Sequence, residues 1–247
     1  MSSNFNENDG VRSQFQELNS SLQERNSSRR ELNLSGKNIG DQGAIYLGEA
    51  LKKNGSLHRL HLVGNMIGDQ GVQALAQSLL TNSSLVLLGL DYNKFGDQGA
   101  RILSQTLEIN TSLESICLGD NNIGDQGTQY LAQSLRTTTS LQELYLEANN
   151  IGDQGAQYLA QSLRTNTSLM ILTLENNKIG DQGAQALSQA LEINTSLTFL
   201  DLDYNNVSTS SLHHIYHLID INMYSDRYPQ EYKEKIQRQR VYNNLSV

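Results

Sequence analysis

Residues 141–155 read LQELYLEANNIGDQG, and nearly the same fifteen residues return along the chain. The tetrad GDQG begins at Gly40, Gly68, Gly96, Gly124, Gly152 and Gly180, always 28 residues on and without an insertion. Locked to it upstream is the pattern L-x-x-L-x-L-x-x-N-x-I. It is carried by Leu57, Leu60, Leu62, Asn65 and Ile67 in one copy and by Leu141, Leu144, Leu146, Asn149 and Ile151 in another. Leu197, Leu200, Leu202, Asn205 and Val207 close the array. An earlier copy keeps Leu32, Leu34 and Ile39 but has Arg29 and Lys37 at the Leu and Asn positions, which makes seven copies. Self-similarity at a fixed period of this length marks an architecture of stacked units.

Within each copy the hydrophobic period changes. L-x-L alternates like a strand with one buried face. After GDQG the apolar residues fall at offsets of three and seven, as in Val72, Leu75 and Leu79 or Ala156, Leu159 and Leu163, the face of an amphipathic helix. The Asp of each GDQG, such as Asp153, is expected to cap the helix it opens. Asn54, Asn82, Asn110, Asn166 and Asn194 are expected to end the helices in a left-handed turn, with Thr138 making a poorer one. The Asn of the leucine pattern is expected to point inward and bond the backbone of neighbouring copies.

One such unit cannot bury its leucines alone, whereas stacked units form a continuous core. Parallel strands lie about 4.8 Å apart and helices about 8–10 Å apart, so the stack bends. The expected fold is α/β: a curved solenoid or horseshoe arc, with parallel strands on the concave face and helices on the convex face. Seven repeats over 29–207 stand between terminal caps. Residues 1–10 are expected to be disordered and 11–28 to form an N-terminal capping helix. Residues 208–247 are expected to hold a C-terminal capping helix and a tail, in which Lys233, Lys235, Arg238 and Arg240 lie on a charged segment.

The 247 residues include 18 Lys and Arg against 26 Asp and Glu, a formal net charge of −8. This balance argues against nucleic acid as a partner. No apolar run is long enough to span a membrane, and the start MSSNFNENDG lacks the features of a secretory signal. A cytoplasmic, monomeric protein is the expectation. The single cysteine, Cys117, excludes an internal disulfide framework.

The repeat resembles that of the leucine-rich-repeat proteins, and is most similar to the 28-residue, helix-bearing class of ribonuclease inhibitor, Ran GTPase-activating protein and the sensor ends of NOD-like receptors. The resemblance covers residues 29–207. It implies a binding scaffold and, through the Ran-activating family, an alternative role as regulator of a small GTPase. No G-x-x-x-x-G-K-[ST] loop occurs, so a complete NOD-like receptor is excluded.

Residues with chemical potential are sparse. Of His213, His214 and His217, the pair His213 and His217 at i, i+4 shares a helix face, but no third strong ligand or general base completes a metal motif. Cys117 has no histidine beside it to activate it. The Asn-x-Ser/Thr triplets at Asn54, Asn82, Asn110, Asn166 and Asn194 read as structural turns rather than glycosylation sites. Neither catalytic residues, nor a metal site, nor a cofactor is expected, and the chain reads as a non-enzyme.

The positions left free are those around L-x-L on the concave face. Nine of them are acidic, Glu31, Asp91, Glu114, Asp120, Glu143, Glu147, Glu175, Asp201 and Asp203, against the bases Arg30 and Arg59. Glu147, Glu175 and Asp203 are expected to share one column, where like charges repel. Interleaved are Tyr92, Tyr145, Ile171, Phe199 and Tyr204, residues of the kind that concentrate binding energy. A basic protein or peptide is the partner such a face suits. Its expected contacts are Asp91, Tyr92, Asp120, Glu143, Tyr145, Glu147, Ile171, Glu175, Phe199, Asp201, Asp203 and Tyr204.

Overall fold

The structure, a computed structural model, describes residues 30–223. The segments 1–10 and 11–28 and the tail beyond 223 fall outside the described residues. Each leucine pattern contributes a three-residue strand: β1 Glu31–Asn33, β2 Arg59–His61, β3 Leu87–Gly89, β4 Ser115–Cys117, β5 Glu143–Tyr145, β6 Ile171–Thr173 and β7 Phe199–Asp201. Each tetrad opens a helix: α1 Gly40–Leu51, α2 Asp69–Leu79, α3 Asp97–Leu107, α4 Asp125–Leu135, α5 Asp153–Leu163 and α6 Asp181–Leu191. The longer α7, Thr209–Met223, follows the serine-rich variant of the tetrad. The strands form one parallel sheet in chain order, β1 to β7, each paired with the residue 28 positions on.

The middle residue of every strand, from Leu32 through Leu144 to Leu200, is buried, and with Leu57, Leu62, Ile67 and their equivalents it joins one continuous core. Phe95 occupies the isoleucine slot of the third repeat and is wholly buried there. Helices packed side by side on one layer and strands on the other give the expected solenoid, wider on its helical side.

Two local expectations are corrected. The Asp of GDQG does not cap its own helix, because it already lies inside it, as the first residue of α2–α6 after a glycine N-cap and as the second residue of α1. Its carboxylate reaches the next unit instead. Asp153 Oδ1 accepts the N–H of Gly180 at 2.7 Å and of Gly183 at 2.8 Å. Asp41, Asp69, Asp97 and Asp125 do the same for the helices that follow them. The second glycine of the tetrad is required by this contact: a Cβ on Gly183 would lie 2.8 Å from both Asp153 Oδ1 and Ala156 Cβ. At the end of the array Asp181 takes the Ser208 N–H and the Ser208 and Ser211 hydroxyls, which hold its carboxyl below the usual range.

The left-handed turn also lies elsewhere than expected. In every repeat a residue with positive φ stands immediately before the motif asparagine or its equivalent: Gly36, Gly64, Tyr92, Asp120, Ala148, Asn176 and Tyr204. Asn38, Gly40 and Met66 add further such residues in the first two repeats. The helix-ending asparagines need no such geometry. Asn82 Oδ1 accepts the N–H groups of Ser84 and Leu85, closing the turn through its side chain. Its Nδ2 donates to the Leu51 and Asn54 carbonyls of the preceding unit, both at 2.8 Å. Thr138, in the same slot, leaves its buried hydroxyl without a hydrogen-bond partner. The motif asparagines form the second ladder foreseen from the pattern. Asn149 Oδ1 accepts Ile123 N–H at 3.0 Å and its Nδ2 donates to Leu118 C=O at 2.9 Å.

Candidate protein-interaction face

The residues flanking each buried strand leucine stand on the open face of the sheet, in columns fixed by the parallel register. Cys117 pairs with Tyr145, Tyr145 with Thr173, and Thr173 with Asp201. One position out, Ala148 N–H bonds Glu175 C=O and Asn176 N–H bonds Asp203 C=O, each at 2.8 Å. Glu147, Glu175 and Asp203 therefore share the column read from the repeat.

The first two strands neutralise their own charge. Glu31 faces Arg59 at 3.7 Å and His61 at 3.1 Å, and Arg30 Nη1 lies 3.0 Å from His58 Nε2. From β3 onward, among the described residues, no Lys or Arg stands within ion-pair distance of Asp91, Glu114, Asp120, Glu143, Glu147, Glu175, Asp201 or Asp203. Among the described residues only His61, beside Asp91, acts against the charge of the face from its third repeat onward.

The central carboxylates are partly drawn into the protein. Asp91 is half-buried, and burial raises its carboxyl above the usual range despite the 2.9 Å bond it accepts from Gly119 N–H; nearby Glu147 raises it further. Glu147 lies across Gly119 and accepts the Thr173 hydroxyl at 2.6 Å. Tyr145 donates to Glu143 at 3.3 Å, and burial together with that carboxylate pushes its phenol to about 12. Cys117 is half-buried beneath this group. Burial, followed by the charges of Asp91, Glu147 and Glu143, pushes its thiol to about 12, so it stays protonated and unreactive.

The peripheral residues are more open. Tyr92 is exposed, and the adjacent Asp120 carboxylate raises its phenol. Tyr204 is 79% exposed in a left-handed conformation, beside Asp203, which accepts the Tyr216 hydroxyl at 2.9 Å. Ile171 pairs with the exposed Phe199. The expected site therefore falls into a central group around Asp91, Tyr145 and Glu147 and a terminal group around Phe199, Asp201 and Tyr204. Sequence reasoning passed over two contributors. Met170 adds exposed apolar surface beside Ile171, a neighbour legible from its column. Thr173 ties Glu147 down, a contact that no pattern signals.

Away from this face, His213, His214 and His217 are exposed on α7, and no group of three His, Cys, Asp or Glu side chains converges among the described residues. The asparagines of the triplets at the helix ends, Asn54, Asn82, Asn110, Asn166 and Asn194, are buried, with amides in use as in Asn110 and Asn194, which closes them to glycan attachment in the folded chain. No described helix is long and apolar enough to cross a membrane.

A family model described as Leucine Rich repeat matches residues 26–48, 53–76, 110–132, 138–160, 165–188 and 194–212. More than half of the sequence is covered, and the chain belongs to the leucine-rich-repeat family. No curated protein sequence matches it. Similar solved structures include leiomodin-1 actin-binding site 2, at 18% identity and a TM-score of 0.56 over 70% of this chain and 96% of that one. The C-terminal domain of Caenorhabditis elegans tropomodulin is similar at 17% identity and a TM-score of 0.52, over 64% of this chain and 95% of that one. At such identities the likeness is one of fold.

Proposed function

We propose that this protein is a non-enzymatic interaction scaffold of the 28-residue, helix-bearing class, and that its concave face takes a basic protein or peptide. Leucine-rich-repeat domains generally serve protein–protein interaction. The similar leiomodin-1 structure is that of an actin-binding site, which agrees with a protein as the class of partner. The observation that carries the reading is the run of carboxylates from Asp91 to Asp203 with no Lys or Arg in ion-pair contact among the described residues, interleaved with exposed aromatic residues. Such a face attracts cations over a screening length of about 8 Å at physiological salt and speeds the encounter with a complementary surface. Nothing among the described residues favours the GTPase-regulator alternative.

The test is capture from lysate on the immobilised protein, in parallel with a Glu175→Lys/Asp201→Lys variant, at low and high salt. The expected captured proteins are basic, and they are lost both in the variant and at high salt. Capture that survives both changes moves the site away from this face.

A further inference from the structure

The acidic face is not uniform. In its centre Asp91 and Glu147 are turned onto Gly119 and held by internal hydrogen bonds. The last two strands are arranged differently. Along β7 the open-face residues are Phe199 and Asp201, with Asp203 in the turn that follows, and along β6 they are Ile171 and Thr173, with Glu175 just beyond the strand. Both sequences begin apolar and end acidic. Asp201 and Asp203 each commit one oxygen internally, to the Asp203 N–H and the Tyr216 hydroxyl, and the other oxygen of each takes no hydrogen bond among the described residues. Phe199 is 43% exposed and Met170, next to Ile171, is 45% exposed. An apolar lane therefore lies across the strand starts, and a carboxylate lane lies parallel to it across the strand ends. Alternate residues of a strand are about 6.6 Å apart, so Asp201 stands about one such step from Phe199, and Asp203 and Glu175 lie farther along the same direction.

We infer that this terminal pair of strands is a binding site for an extended peptide that carries one apolar side chain and Lys or Arg two and four residues away from it. The inference rests on the proposed basic-partner reading of the face and gives that partner a pattern. An extended chain projects every second side chain to one side, with the same step of about 6.6 Å as the strand beneath it. Its apolar residue covers Phe199, Ile171 and Met170 while its two cations meet Asp201 and then Asp203 with Glu175. Charge complementarity selects the cations, and the apolar lane fixes their register. A helix presents neighbours three and four residues apart and does not keep this register.

The test is selection of a displayed library of random twelve-residue peptides on the full-length protein, followed by affinity measurement of the enriched peptides as synthetic chains. The expected peptides carry an apolar residue and Lys or Arg at alternate positions in either chain direction. They are expected to bind at least tenfold more weakly to Ile171→Thr/Phe199→Ser and to Asp201→Asn/Asp203→Asn, with Phe199→Leu restoring affinity. Thermal melting confirms that each variant is folded. Basic peptides that bind the apolar variant as well as the original protein overturn this inference and leave the acidic-face reading standing, as does a spacing of three or four between cations. Enriched peptides that lack Lys and Arg and ignore both variants, or no enrichment at all, overturn it together with that reading.

Discussion

Thr138 shows how much one side chain contributes in this fold. Its slot belongs to an asparagine in the neighbouring units, where the amide closes a turn and reaches two carbonyls of the unit before. The threonine hydroxyl is buried without a partner. Thr138→Asn is therefore expected to raise stability by about 1 kcal/mol, the net worth of a typical hydrogen bond, read as a higher urea midpoint at unchanged slope. Asp91 shows the opposite case, a charge that the fold holds at a cost. Because its carboxyl sits above its ordinary value of 3.8, the native state holds the proton more tightly than the unfolded chain. Stability present below the ordinary value is lost as pH rises through the raised one. Asp91→Asn keeps an acceptor for Gly119 N–H and is expected to melt higher than the original at neutral pH, with the gap closing as pH falls below the ordinary value. The poor turn at Thr138 was legible in the sequence because the deviation stands out against a strict repeat. The left-handed position was not. It is filled by Gly36 and Gly64 and then by Tyr92, Asp120, Ala148, Asn176 and Tyr204, residues with no shared side-chain chemistry.

Among the elements, each helix depends on its predecessor. The carboxylate that satisfies the first N–H groups of α6 belongs to Asp153 on α5, and it also opposes the positive end of the α6 dipole. Asp153→Ala is expected to cost about 1–2 kcal/mol, as for loss of a helix cap. Its local effect should surface one repeat downstream. Amide exchange at Gly180 and Gly183 should quicken, while Gly152 and Gly155, held by Asp125, should keep their protection. The periodicity located every described helix and strand, since apolar spacing alone separates a period of two from one of about 3.6. It misplaced the Asp contact because a cap for one's own helix and a cap for the next unit's helix require the same residue type. The difference lies in contacts 27 and 30 residues along the chain, which only stacking creates.

For the whole molecule, stacking turns a local pattern into a surface with direction. The β1–β2 end carries Arg30, His58, Arg59 and His61 around Glu31, and the β6–β7 end carries carboxylates with no ion-pair partner among the described residues, beside Phe199 and Tyr204. The composition of this face was legible in the sequence, because the repeat assigns each residue to a column. Which carboxylates remain available was not, since Asp91 is committed by Gly119, and Glu147 by Gly119 and Thr173. Whether a basic partner lies in the hollow of the arc is best decided by following the backbone amide resonances of the isotope-labelled protein during titration with a lysine-rich peptide. Saturable shifts are expected, concentrated in residues 170–176 and 198–204 and diminishing as salt is added. Shifts spread over the outer surfaces of α1–α6, or none in the sheet, would contradict a concave binding face.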